Sequence, residues 1–121
     1  MKIYMCIDFK SFYASVECAK RNLNPFITPL VVADSQRGKG AITLAITPKL
    51  KNLGIKNRCR LYEIPNHINY LIACPKMSDY IKYSANIYEI YLNYFDKNDI
   101  HVYSIDEAFI DITNYIKLYD L

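Results

Sequence analysis

Asp106 and Glu107 stand side by side in YSIDEAFID, residues 103–111, between apolar runs that read as strand, and Asp8 closes an earlier run, KIYMCID. Adjacent carboxylates repel each other and resist leaving water, so at a sheet rim they call for a positive partner, either a basic side chain or a divalent cation. Turn chemistry does not explain the pair. A two-residue hairpin favours Asn-Gly, Asp-Gly or a glycine where φ is positive, and Asp106-Glu107 offers none of these. If the strand ending in Asp8 neighbours the hairpin, three carboxylates converge, and an all-oxygen set suits a hard ion such as magnesium. Each acid also has a plainer role: Asp8 as a helix N-cap, Asp106 and Glu107 as a solvated turn, Asp111 as a surface acid. From Ser35 to Tyr62 there is no acid, while Arg37, Lys39, Lys49, Lys51, Lys56, Arg58 and Arg60 all fall there. Such a block is either a solvated face or a surface that meets phosphates. An acid-ended strand, a basic block and an acidic hairpin together are the parts of a phosphoryl-transfer site, in which two divalent ions about 3.5 to 4 Å apart flank the attacking and leaving oxygens.

The elements that must position these residues follow from pattern. KIYMCID alternates and is rich in strand formers, and SFYASVECAKRN places Phe12, Val16 and Ala19 near helical spacing. LVVAD reads as a short strand, SQRGKG as a turn and AITLAI as a third strand. Thr47 before Pro48 has the form of an N-cap with proline at the first helical position, and Gly54 stands where a left-handed C-cap belongs, framing the short helix PKLKNL. RLYEIPN reads as a turn and YLIAC as another strand. From Lys76 to Asp96, Met77, Ile81, Ser84, Tyr88, Tyr91 and Phe95 recur at alternating four and three, one face of a long helix that would cover a sheet. DIHVYSI and AFIDI are strands around the acids, and Thr113 is placed to cap a final helix, NYIKLYDL, whose short run suggests a truncated chain.

With 121 residues, 52% of them hydrophobic, the chain can fill the core of one ordinary domain. No run approaches the roughly 18 apolar residues of a membrane helix, and the N-terminus is too quickly charged for a secretion signal, so we expect a cytoplasmic protein with no membrane partner. Cys6, Cys18, Cys59 and Cys74 form no CxxC pair, so reduced, part-buried fillers are expected rather than zinc or disulfides.

IDFKSFYASVE and YSIDEAFID resemble, in order and spacing, the two catalytic motifs of the Y-family DNA polymerases of the UmuC-like, ImpB/MucB/SamB group. The resemblance runs through essentially the whole chain but implies only the opening part of a full enzyme. It implies an α/β (α+β) fold. Residues 1–11 and 79–121 would form a partial palm, a mixed, mostly antiparallel sheet covered by helices, with 12–78 as a small inserted fingers subdomain. The rest of the palm, the thumb and the little finger would lie elsewhere. By the same resemblance Asp8, Asp106 and Glu107 are the catalytic metal ligands, joined by the main-chain carbonyl of Phe9. They would hold two Mg2+ ions, with Mn2+ able to substitute. Phe12 and Tyr13 would lie under the incoming sugar, Tyr13 as the steric gate against a 2′-hydroxyl; without the motif, Tyr13 would read as core. Glu17, four residues before Arg21, is sufficiently explained as a helix-surface ion pair.

The fingers depart from the pattern. Where many relatives carry a tyrosine and an arginine on the short helix, this chain has Pro48 and Lys51, and Lys51 keeps the charge without the bidentate fork. Ala45 replaces a hydroxyl that Thr47 can supply from nearby. The implied reaction is template-directed nucleotidyl transfer in error-prone lesion bypass, with primer-template DNA and deoxynucleoside triphosphates as partners and a sliding clamp reached through missing C-terminal regions. Residues 1–121 alone are expected to be inactive. Two other classes fit less well. A non-catalytic DNA- or polymerase-binding paralogue has no need to keep uncompensated acids together, and a nucleotidyl cyclase-like palm would be expected to carry a glycine-rich acidic hairpin, which SIDEAF is not.

Overall fold

A computed structural model describes all 121 residues, which divide into two compact units, Met1–Lys10 with Tyr80–Leu121, and Ser11–Asp79. The first unit is built on a three-stranded antiparallel sheet in the order β1 (Tyr4–Asp8), β6 (Glu107–Asp111), β5 (Ile100–Ser104). Strict alternation decides its two faces. Ala108 and Ile110 are buried, and Ile7 and Met5 lie opposite them on β1, while Tyr4, Cys6 and Phe109 stand on the exposed face. A one-residue slip would exchange the two sets, so the apolar pattern fixes the register.

The helix α3 (Met77–Leu92) serves this sheet, its Ser84 hydroxyl donating to the Ile105 carbonyl at 2.6 Å. Its covered face is displaced from the one the spacing indicates. Tyr80 is fully buried and Ser84, Ile87, Tyr88 and Tyr91 are half-buried, but Met77 and Ile81 are exposed. For Ile81 the reason is that β5 is an edge strand. Ile81 and Ala85 overhang it and line, with Val102 and Ile105, an open apolar groove of about 400 Å³. Burial of Tyr91 also pushes its phenol pKa up.

No helix follows Thr113; residues 113–120 form consecutive turns. The Thr113 hydroxyl donates to Asp111 at 2.7 Å and accepts from the Ile3 N–H at 2.8 Å, so it ties the ends of β1 and β6 instead of capping. Asp111 is accordingly not a free surface acid. Its side chain is 16% exposed, and the hydroxyl and N–H of Thr113 hold its carboxyl below the usual range. Downstream, Tyr115 donates to Asp99 at 2.7 Å and packs edge-on against Phe95, ring centroids 4.9 Å apart.

In the second unit β2 (Leu30–Val32) is central and buried throughout, antiparallel to β3 (Ala45–Ile46) and parallel to β4 (Leu71–Ala73). The expected strand 41–46 shrinks to Ala45–Ile46 because its amides divide between two partners: Leu44 donates to Val32, but Thr43 donates to Cys59. The helix α2 (Pro48–Asn52) opens with proline and ends at Gly54, φ 90°, where the Ile55 amide reaches back to the Leu50 carbonyl at 3.1 Å as a left-handed cap requires. Thr47 occupies the N-cap position without a capping bond; its hydroxyl accepts from the Leu30 N–H at 3.1 Å. All four cysteines are free, with Cys18 and Cys59 buried but Cys6 and Cys74 exposed instead of part-buried.

The helix α1 (Phe12–Lys20) packs on β2 and β3. Its buried stripe is Phe12, Ala14, Val16, Glu17 and Cys18, and Ala19 turns outward. Glu17 is therefore not on the helix surface. At 1% exposure it lies 2.8 Å from Arg21 and 3.2 Å from Lys20, and Lys20 also reaches Asp79 at 2.5 Å. Losing a buried acid removes these bonds and leaves a hole, while the 30–40% exposed bases can rehydrate. Glu17→Ala is thus expected to destabilise by about 2 kcal/mol, below the cost of stranding a fully buried charge. A urea titration at neutral pH reads this as a lowered midpoint, and an unchanged midpoint would make the cluster ornamental.

Candidate metal centre

Register brings the first two acids together. Asp8 is directly opposite Glu107 at the ends of β1 and β6, on the exposed face of the sheet. The third comes from the hairpin turn. That turn is Ile105-Asp106, with Glu107 already in β6, and neither turn residue has positive φ. The connection avoids a primed turn by a bulge in β5 between Val102 and Ser104, which adds local twist.

Three bonds hold the turn. The Phe9 N–H donates to the Asp106 carbonyl at 3.0 Å, the Ser84 hydroxyl donates to the Ile105 carbonyl, and the Ser104 hydroxyl donates to Asp106 Oδ1 at 3.0 Å. Carboxylate oxygens of Asp8, Asp106 and Glu107 then lie within 4.8 Å of one another. Neither serine was singled out from sequence as a support of the site. The available signals were a polar residue inside an apolar helical stripe, Ser84, and a hydroxyl two places before a turn acid, Ser104.

Unit negative charges at about 5 Å repel by roughly 1 to 3 kcal/mol at effective dielectric constants between bulk water and a protein surface. The basic side chain paired with the trio is Lys10, whose ammonium lies 2.9 Å from Asp8 Oδ2. Its pKa is raised, first by that hydrogen bond, then by the charge of Asp8, with smaller contributions from Glu107 and Asp106. One ammonium leaves the group with two uncompensated negative charges. A partly exposed cluster of hard oxygen donors with that deficit fits a divalent cation, and Asp8, Asp106 and Glu107 can hold one.

The remaining candidates belong to the other unit. Phe12 is buried at 6% exposure, and Tyr13 beside it is half-buried, ring centroids 6.1 Å apart. Lys51 is half-buried on α2. Thr47 has no exposure, and its backbone and hydroxyl both clamp Leu30. In this structure the Thr47 hydroxyl is thus engaged as an acceptor with Leu30. In the basic block Arg37, Lys39, Lys56, Arg58 and Arg60 are exposed, although Arg60 also donates to the Gly40 carbonyl at 2.6 Å. No helix is long and apolar enough to cross a membrane.

The impB/mucB/samB family model matches residues 7–121. The chain is 38% identical over 103 residues to the DNA repair protein homolog YozK of Bacillus subtilis (strain 168), covering 84% of this chain and 90% of YozK. It is 36% identical over 121 residues to DNA polymerase IV 2 of the same organism, covering 98% of this chain and 28% of that one. It likewise spans 27% of UvrX, a protein of the same organism named for UV-damage repair, at 39% identity. Among solved structures, the Y-family DNA polymerase chimera Dbh-Dpo4(243-245)-Dbh superposes with a TM-score of 0.76 at 27% identity, over 97% of this chain and 34% of that chain. The sheet and helices described above thus match a Y-family polymerase fold, of which this chain spans about a third.

Proposed function

Because the chain belongs to the impB/mucB/samB family, we propose that it is the cation-holding part of a Y-family DNA polymerase working in damage bypass, with Met1–Lys10 and Tyr80–Leu121 as palm and Ser11–Asp79 as fingers. The observation that carries the proposal is the meeting of Asp8, Asp106 and Glu107 within 4.8 Å. The reaction is attack of a primer 3′-hydroxyl on the α-phosphate of a deoxynucleoside triphosphate, with loss of pyrophosphate. Bound divalent cations, Mg2+ or Mn2+, supply the charge that acidifies the attacking hydroxyl and neutralises the phosphates. Asp8, Asp106, Glu107 and the carbonyl of Phe9 would hold them.

The chain's own contributions are positional. Ser84 and Ser104 keep the acid turn in place before substrate arrives, so little reorganisation is needed. Tyr13 restricts the space for a sugar 2′-hydroxyl, with Phe12 behind it. Lys51 neutralises triphosphate charge as a point cation and cannot form a bidentate fork. Thr47 acts at one remove, fixing β2 to the start of α2. Primer-template DNA and deoxynucleoside triphosphates would be its partners, in the cytoplasm, and in the longer relatives a sliding clamp would be met by other parts of the protein.

Residues 1–121 alone are expected to give no template-directed extension. Joined to the remaining part of a longer relative, they are expected to restore it. Primer extension by both proteins tests this; synthesis by the short chain, or none by a folded chimera, would refute the assignment. A second reading, a non-catalytic chain that binds DNA or a polymerase, draws support from YozK, 90% of whose length this chain covers. It predicts no need for a cation at the acids.

A further inference from the structure

Lys10 has no part in the polymerase reading, yet its ammonium lies 2.9 Å from Asp8 Oδ2, beside the oxygens of Asp106 and Glu107. Its side chain is 79% exposed, so it fills no core and supports no element. The pairing is local: Lys10 follows Phe9, whose N–H is fixed to the Asp106 carbonyl at 3.0 Å, and β1 holds Asp8 in register with Glu107. A cation tethered this close competes for its acid from a high effective concentration, weakened only as salt screens the pair.

We propose that Lys10 is a built-in competitor for the divalent cation: its ammonium neutralises Asp8 in the empty site and must be displaced for the ion to bind, so Lys10 sets the cation concentration at which the site fills. The proposal rests on the reading of Asp8, Asp106 and Glu107 as cation ligands. Two electrostatic costs act together. The ion pair must be broken, which for an exposed pair is worth a few-fold in affinity. The displaced ammonium also stays near a doubly charged ion and repels it. Removing the charge therefore tightens divalent binding by roughly three- to tenfold at low salt. Because both costs are charge-charge effects at an exposed site, the gain should shrink as the screening length falls to about 10 Å at 0.1 M salt and below.

The test is Mn2+ binding to the 121-residue protein, followed by the loss of the free-ion electron paramagnetic resonance signal, for wild type, Lys10→Met and Lys10→Arg. Lys10→Met should bind Mn2+ three- to tenfold more tightly than wild type in low salt, and the difference should narrow in 0.5 M salt. Lys10→Arg should stay within about twofold of wild type, since the charge is kept. Lys10→Gln stands in if the methionine variant does not fold. Equal affinity of wild type and Lys10→Met in low salt, or the same gain from Met and Arg, would overturn the role of Lys10 while leaving the cation site intact. Failure of wild type and the neutral variants alike to bind Mn2+ at millimolar concentration would overturn the cation site, and this proposal with it.

Discussion

Asp106→Ala, in a chimera joining residues 1–121 to the remaining part of a longer family member, is expected to lower primer extension by on the order of a thousandfold or more, with the fold intact. The fold should survive because the backbone of Asp106, not its carboxylate, carries the bond to β1. The Phe9 N–H donates to the Asp106 carbonyl, and the carboxylate accepts from Ser104 alone among the neighbouring hydroxyls. Removing the side chain also relieves repulsion from Asp8 and Glu107, so thermal stability should hold or rise slightly. A large loss of extension with unchanged melting is the signature of a lost cation ligand. Retained extension would remove Asp106 from that role, and a collapse of folding would mean that the acid serves the turn.

Tyr13→Ala in the same chimera should raise ribonucleotide incorporation relative to deoxynucleotide by on the order of a hundredfold, since a steric filter acts only against the larger sugar. The division between neighbours supports the choice of Tyr13. Phe12 is buried, while Tyr13, next along α1, is only half-buried. Tyr13→Phe should leave discrimination nearly intact, because the ring and not the hydroxyl occupies the space. Competition between a ribonucleotide and its deoxy counterpart at one template base measures both variants. Unchanged selectivity in Tyr13→Ala would return that ring to packing.

Local chemistry wrote the best-legible parts of this fold. Alternation in KIYMCID and the strand formers of AFIDI placed two strands, the second within one residue of β6, and Pro48 with Gly54 framed the short helix PKLKNL within one residue, because each signal acts within a few positions of itself. The acids were legible for a different reason: no turn rule accounts for Asp106-Glu107, so the pair pointed beyond folding. What escaped was set by distant partners. Thr113 has the letters of an N-cap, but Ile3 and Asp111 take its hydroxyl. Within the turns that follow Thr113, Tyr115 and Tyr119 stack with ring centroids 5.8 Å apart and close on Phe95. Ile81 fits an apolar stripe, yet at an edge strand it lines an open groove and stays exposed. The bond of Thr47 to Leu30 was hidden because spacing cannot report which backbone a hydroxyl faces. Glu17 read as a surface residue because an i,i+4 pair looks the same buried or exposed.

The most direct test of the cation site is crystallographic. Crystals of the 121-residue protein grown with Mn2+ should show anomalous difference density between Asp8, Asp106 and Glu107, with the Lys10 ammonium moved away from Asp8. Density elsewhere with that trio bare, the ammonium still paired to Asp8, would contradict the account.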